Sequence, residues 1–153
     1  MPNTELSRNK HEELRAELEA VDGRRVRFVR VELQRPRVGH VVAEVDLEWA
    51  SAHFTGSAEG EGGPVGELRL CAQATLRAIE ATLEGELKFQ LVGVKATRIF
   101  DNDLVAVLIH SDDAPDHRLI GVSLVSLDVY NSAALAVLNA TNRVLGNYLL
   151  VPE

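Results

Sequence analysis

The densest group of side chains that could do chemistry lies between His110 and His117, in the second half of the chain. Two imidazoles and three carboxylates fall within these eight residues, and both side-chain types bind divalent metals. Their spacing matches no familiar ligand pattern, and Pro115 favours a hairpin loop at this point. We therefore predict a solvated acidic loop and no metal site, although the sequence leaves binding of a divalent ion open.

No other residues combine into a recognisable catalytic group. His40 and His53 fall near predicted strand ends without an assigned carboxylate or nucleophile, and Cys71 lies on the apolar side of a predicted helix. The sequence contains no phosphate-binding loop, dinucleotide fingerprint or serine elbow. We predict no catalytic residues and no cofactor, which makes an enzyme the weaker hypothesis.

The composition indicates one globular domain. The chain has 153 residues, of which 46% are hydrophobic and 25% charged, a balance unlike that of disordered chains. No apolar run approaches the roughly 18 residues that span a bilayer, and the N-terminus is too polar for a signal peptide. The single cysteine cannot form an intramolecular disulfide. We expect a cytoplasmic protein that does not enter a membrane.

Charge is distributed unevenly along the sequence. Residues 1–37 hold 9 Lys and Arg against 7 Asp and Glu, whereas residues 38–153 hold 7 against 16, for a net charge of -7. Six arginines lie between Arg24 and Arg37. Nucleic-acid binding would need a positive field or stacking aromatics behind them, and aromatic residues make up only 5%. We expect no nucleic-acid partner; a solvent-facing strand with paired arginines is favoured over an anionic small ligand.

Residues 1–23 predict a charged N-terminal helix. Its large apolar residues between positions 4 and 21 are Leu6, Leu14 and Leu18, amid Glu, Arg and Lys, and Gly23 ends the pattern. Because this apolar stripe is thin, we expect the helix to be an appendage that can pack on a partner.

From residue 24 the pattern changes to short β-rich runs, typical of strands. Three strands are predicted, at 26–33, 41–49 and 53–58. The glycine-rich residues 59–63 predict a loop. Pro64 then opens a helix that extends to about Leu83, and Gly85 ends it.

The same order of elements recurs in the second half. Three strands and a helix are predicted at 87–99, 104–109, 117–127 and 129–149. Residues 100–103 supply turn chemistry, and Asp128 is expected to cap the helix. Residues 24–85 and 86–150 therefore form two predicted βββα repeats within one domain, 24–153.

The two repeats also match residue against residue. At offsets of 63, 65 and 66, the matches include Val31 with Val94, Gly56 with Gly121, and Ala74 with Ala140. Each repeat exposes an apolar sheet face that its own helix covers only in part. We predict an α/β protein of the α+β type. Its two βββα repeats are related by a pseudo-twofold axis, with mainly antiparallel sheets and helices packed on one face, in addition to the N-terminal helix.

The last predicted helix is almost uncharged. Between Asn131 and Leu150 only Arg143 carries a charge, and apolar residues wrap most of the circumference. Such a helix is buried on more than one side. One layer of two helices on a sheet would leave a flank wet, so we predict a homodimer that pairs through residues 131–149.

Two segments resemble the C-terminal regulatory domain of 2-isopropylmalate synthase. In residues 128–143, Asp128 opens a helix of Ala and Ser that ends in an Asn-Ala-x-Asn-Arg pattern, and Gly63-Pro64-Val65 resembles the family's Gly-Pro-Val turn. The resemblance covers residues 25–149, including the repeated βββα order. It implies a dimerising domain that senses leucine and is usually fused to a metal-binding catalytic barrel. Since this chain has no such barrel, we expect a stand-alone, non-catalytic regulatory module that a partner enzyme reads.

The starts of the two long helices are the predicted ligand site. Helix N-termini present unpaired N–H groups and a partial positive charge that suits a carboxylate, and glycine lets a ligand approach the backbone. The candidate residues for an amino-acid-like ligand are Gly62, Gly63, Pro64, Val65, Asp128, Val129, Asn131 and Ser132. A plain helix cap and a tight turn are the alternative interpretation. At the level of function, the alternatives are a structural interaction protein without a ligand and a small metal-using enzyme.

Overall fold

The computed structural model describes residues 7–15, 25–112 and 114–145. Residues 7–15 form helix α1, and the other parts of the predicted helix over 4–21 lie outside the described residues. The remaining elements are β1 (Arg27–Arg37), β2 (His40–Trp49), β3 (Ala52–Glu61), α2 (Pro64–Thr82), β4 (Phe89–Ile99), β5 (Asn102–Ser111), β6 (Ala114–Leu124) and α3 (Val129–Leu145). The predicted fold class and the order of two βββα repeats are confirmed.

The strands form two separate antiparallel sheets of three. The N-terminal sheet has the order β1-β2-β3 and the C-terminal sheet the order β4-β5-β6. In each sheet, one strand residue is skipped at the same place: Val29 in β1 and Val92 in β4 interrupt the register with the neighbouring strand. These two bulges are 63 residues apart, the offset that the sequence comparison gives for this strand.

Equivalent glycines set the distance between each sheet and its helix. A Cβ at Gly56 would collide with the backbone of Ala74 and Ala78 in α2, and a Cβ at Gly121 would collide with that of Ala136 in α3. Gly56 and Gly121 match at the predicted offset of 65. The helix residues that they contact are 62 apart, however, so the sequence pairing of Ala74 with Ala140 is displaced by one helical turn.

The two helices lie between the sheets in one continuous core. Helix α2 packs on β2 and β3 of its own sheet and on β4 of the other, and α3 packs on β5 and β6 and on β1. The helices also contact each other. The fully buried residues include Val45 and Leu47 of β2, Ile79 of α2, and Ile109 of β5. The exchange of contacts between repeats makes the two halves one folding unit.

Most of helix α3 is buried by its own chain, which removes the argument from burial for a dimer through residues 131–149; the dimer itself stays a prediction. Ala133, Ala134, Ala136 and Val137 are fully buried within the single chain. The prediction assumed one layer of two helices on a single sheet, whereas here two sheets enclose the helices from both sides. A second copy is therefore not needed to cover α3; residues 146–149 lie outside the described residues.

Two predicted loops are mostly strand. Glu59 to Glu61 belong to β3, because β2 offers them paired positions and Gly60 leaves room for the side chain of Leu70. His110 and Ser111 belong to β5, and β6 already begins at Ala114, which makes the predicted loop over 110–117 a tight hairpin. Turn-forming residues tolerate strand geometry here because β3 and β6 are edge strands.

Candidate functional site

A cavity of about 600 Å³ opens beside the first turn of α2. The turn between β1 and β2 and the junction between β3 and α2 form its walls. Its lining includes Arg35, Arg37, His40, Gly62, Gly63 and Glu67. Two arginines and one carboxylate therefore meet at the same opening, in a protein whose net charge is -7.

Close backbone contacts hold this junction together. The N–H of Gly62 donates to the carbonyl of Gly39 over 2.9 Å, which ties the start of α2 to the β1–β2 turn. Gly63 adopts a φ of 117°, a conformation that favours glycine, and Pro64 follows as the first helical residue. A Cβ at Gly66 would lie 2.7 Å from the carbonyl oxygen of Glu61. Small residues at these positions let the chain turn sharply from strand to helix.

Glu67 is the buried charge of the cavity. Its side chain is 9% exposed and lies in the first turn of α2. Oε1 accepts a hydrogen bond of 2.6 Å from Arg35, and Oε2 accepts one of 2.7 Å from the hydroxyl of Tyr130 in α3. The hydrogen bond from Tyr130, together with Arg35 and the Gly63 backbone, holds the pKa of Glu67 below its ordinary value. The same bond to Glu67 raises the pKa of Tyr130.

The start of α3 is closed by its own side chains. Oδ1 of Asp128 accepts a hydrogen bond of 2.7 Å from the N–H of Asn131, which confirms the predicted cap. The side-chain amide of Asn131 donates to the other carboxylate oxygen over 3.1 Å. The hydroxyl of Ser132 donates to the carbonyls of Asp128 and Leu124. The cap thus satisfies the N–H of Asn131 in the first turn of the helix.

The structure brings the predicted ligand residues together only in part. Gly62 and Gly63 line the cavity, whereas Pro64 and Val65 do not, and Val65 is 78% exposed. The predicted ligand residues at the start of α3 lie outside the cavity, and this helix reaches the cavity only through Tyr130. These residues are Asp128, Val129, Asn131 and Ser132.

Sequence reasoning missed the charged residues of the cavity. Arg35, Arg37 and Glu67 are not among the candidate residues. The alternative of an anionic ligand at the arginine-rich segment, however, indicates Arg35 and Arg37. The favoured expectation of paired strand arginines is confirmed for Arg30, which binds Asp46, and for Arg35. Among the described residues, Arg37 has no acidic partner within 4.0 Å.

The other candidate groups offer less. His40 has a carboxylate that the sequence did not assign, because its Nε2 lies 3.2 Å from Glu59. Cys71 is fully buried, and burial raises the pKa of its thiol to about 12. Within the described residues, no three His, Cys, Asp or Glu side chains are placed to hold a metal ion. The side chains of residues 113–117 lie outside the described residues.

A second cavity of about 300 Å³ runs between α2 and β4, and its polar groups hold strand edges. Glu80 accepts the N–H of Phe89, and Arg69 donates to the carbonyl of Leu91. Nearby, Arg77 donates to the carbonyl of Ser57 in β3 over 2.6 Å. Because these side chains are committed to the edges of β3 and β4, this cavity is the weaker candidate for a ligand.

No family model and no curated protein sequence matches the chain. Among the residues that the structure describes, none of the helices is both long enough and apolar enough to cross a lipid bilayer.

Proposed function

We propose that the chain is a non-catalytic regulatory module that binds an amino-acid-like zwitterion in the cavity beside α2. The observation that carries this proposal is the arrangement of Arg37 and Glu67 on one cavity of about 600 Å³. Arginine binds a carboxylate through two parallel hydrogen bonds, and a buried carboxylate favours an ammonium group nearby. The resemblance to the regulatory domain of 2-isopropylmalate synthase supports the same class of ligand.

The ligand carboxylate binds Arg37 in this proposal, not the helix N–H groups. At α2 the carboxylate of Glu67 lies in the first turn and accepts hydrogen bonds from Arg35 and Tyr130, and at α3 that of Asp128 accepts the N–H of Asn131. A free anion placed over either helix start would be repelled by the resident carboxylate. Gly62 and Gly63 keep the role of small residues that let the ligand approach the backbone.

The ligand ammonium faces the acidic side of the same opening. Glu67 is held ionised by Tyr130 and Arg35, and His40 of the lining lies 3.2 Å from the carboxylate of Glu59. A zwitterion matches both charges at once, whereas a simple anion or a simple cation matches only one. This distinction separates an amino acid from its 2-oxo acid and from its methyl ester.

A partner enzyme would detect ligand binding through a change in the contact between the two repeats. Glu67 belongs to the cavity and also binds Tyr130 of α3, so a ligand that changes the position of Glu67 changes the packing of the two helices. The protein has a single cysteine, Cys71, with a buried thiol, which suits the reducing cytoplasm that we propose as the location of the protein.

Isothermal titration calorimetry against the L-amino acids, their 2-oxo acids and their methyl esters tests the proposal. We expect at least one amino acid to bind, and its two derivatives to bind at least tenfold more weakly. Arg37→Gln should weaken that binding at least tenfold. Arg27→Gln is the matched control because Arg27 lies at the far end of β1, outside the cavity. No heat and no shift in Tm with any compound would overturn the proposal.

A structural interaction protein without a ligand is the second candidate. The observation that favours it is a row of exposed apolar side chains on the C-terminal sheet, including Ile120, Val122 and Leu124. If the protein has this function, the Arg37→Gln variant should assemble with its partner as strongly as the wild type does.

A further inference from the structure

The two sheets differ on their outer faces, which point away from the helices. The outer face of the N-terminal sheet is polar and carries Arg30, Glu32, Glu44, Asp46, Thr55 and Ser57. In the C-terminal sheet, the positions equivalent to Glu44, Asp46, Thr55 and Ser57 are Ala106, Leu108, Ile120 and Val122. The repeats are thus alike inside the core and unlike outside it.

This apolar outer face is exposed along β6, whereas on β5 Leu104 is buried and Ala106 and Leu108 are half-buried. Ile120 is 70%, Val122 45% and Leu124 60% exposed. Three strands about 4.8 Å apart and about eight residues long cover about 400 Å². The apolar side chains occupy the β5 and β6 side of this face, and the largest apolar patch of a soluble protein is often functional.

The side chains of this face are large and apolar on the β6 side, and they are polar or absent on the β4 side. Its three central rows, written from β4 through β5 to β6, are Gly93–Leu108–Ile120, Lys95–Ala106–Val122 and Thr97–Leu104–Leu124. The β6 side therefore presents large branched residues. The β4 side presents a glycine, a lysine and a threonine, and a Cβ at Gly93 would have no atom within 4 Å.

We propose that a second copy of the chain packs on this outer face, with the twofold axis parallel to the strands above β5. Such an axis places β6 of each copy on β4 of the other, so that Ile120 enters the space above Gly93 twice. The described part of the N-terminal sheet offers no equally apolar face, because charged residues occupy its outer side. The face therefore finds its complement in a copy of itself.

Charge selects the same axis. With the axis parallel to the strands, Lys95 lies over Val122 of the partner, and Arg118 lies over Gln90. An axis perpendicular to the strands through the central row would instead set Lys95 against Lys95, which is unfavourable in a water-poor interface. The lysine stem covers apolar surface while its ammonium stays in water.

The size of the face sets the strength of the dimer. Two copies would bury about 800 Å², compared with about 1,600 Å² in an interface of standard size. We therefore expect a dimer that dissociates at micromolar concentrations.

Sedimentation equilibrium over a series of concentrations tests the interface. The wild type should pass from monomer to dimer as the concentration rises, and Ile120→Lys should raise the dissociation constant at least tenfold. Ser57→Lys is the matched control, because Ser57 is an exposed edge-strand residue on the other sheet. Circular dichroism and Tm establish that each variant is folded. A wild type that stays monomeric at roughly 1 mM, or a folded Ile120→Lys variant that dimerises like the wild type, overturns the proposal.

A charge pair tests the direction of the axis. Gly93→Asp alone should weaken the dimer, because the carboxylate would face Ile120 of the partner. In the double variant Gly93→Asp/Ile120→Lys, each new lysine would face an aspartate of the other copy, so we expect tighter association than with Ile120→Lys alone. A double variant no tighter than Ile120→Lys contradicts an axis parallel to the strands.

Discussion

The hydroxyl of Tyr130 donates a hydrogen bond of 2.7 Å to Oε2 of Glu67, and this bond joins the first turns of α2 and α3. The two residues are 63 positions apart, close to the offset between the repeats. They therefore occupy nearly equivalent places in the two repeats, at the starts of the two helices. At this contact the two repeats supply different residues that complement each other, one a donor and one an acceptor.

Tyr130→Phe should destabilise the protein by about 1–3 kcal/mol. The substitution keeps the ring in place but removes a hydrogen bond to a carboxylate that is almost fully buried. The free energy of unfolding, measured by urea denaturation at neutral pH, checks this value.

The double variant Tyr130→Phe/Glu67→Met distinguishes a direct bond from a general loss of packing, because methionine has a similar volume and no strong acceptor. If the two groups act through this bond, the effects of the single substitutions are not additive, with a coupling of about 0.5–3 kcal/mol. Additive effects would contradict the assigned hydrogen bond.

Acid should remove the contribution of Glu67 to stability. Its pKa lies below the ordinary value in the folded state, because Tyr130 and Arg35 stabilise the carboxylate. A lowered folded pKa gives stability that is complete above the unfolded pKa of roughly 4.3 and is lost as the pH falls through the folded pKa.

The stability difference between the wild type and Glu67→Gln should therefore be constant between about pH 6 and 8 and should shrink below about pH 4. Asp46, whose pKa is also lowered, affects both proteins equally and cancels in this difference. Urea denaturation at each pH provides the measurement. A difference that persists unchanged to about pH 3 would show that Glu67 does not act through its charge.

The order of elements could be predicted because it depends on local periodicity. The alternation in β2, the proline at the start of α2 and the cap at Asp128 are all encoded within a few residues. The extents of β3 and β6 could not be predicted in the same way. Glycine, proline and aspartate signal turns, yet a neighbouring strand that offers paired hydrogen bonds extends the sheet through them.

The cavity residues likewise fall into those that a local sequence pattern predicts and those that depend on tertiary packing. Gly62 and Gly63 could be predicted because a glycine-rich helix start is a local pattern. Arg35 and Glu67 are 32 positions apart, so their contact depends on how β1 packs against α2. The residues that cover α3 also have no local signal, since the pattern shows that a helix is covered but not which sheet or chain covers it.

The thiol of Cys71 should be inert in the folded protein. The side chain is fully buried, and its pKa is raised to about 12, because desolvation disfavours the thiolate. We expect no reaction with a disulfide reagent at about pH 8 on the timescale of minutes, and complete reaction in guanidinium chloride. Fast reaction of the native protein would show that the core around α2 opens readily.

The two glycines that face the helices should be the least replaceable residues of the sheets. Gly56→Ala and Gly121→Ala would each drive a methyl group into the backbone of the facing helix, which cannot move without separating from its sheet. We expect each substitution to cost about 3 kcal/mol or more. Gly93→Ala is the control, because an added methyl group there has no atom within 4 Å, and it should change stability by less than about 1 kcal/mol. Urea denaturation of the three variants measures these costs, and similar values for all three would contradict the close packing of helix on sheet.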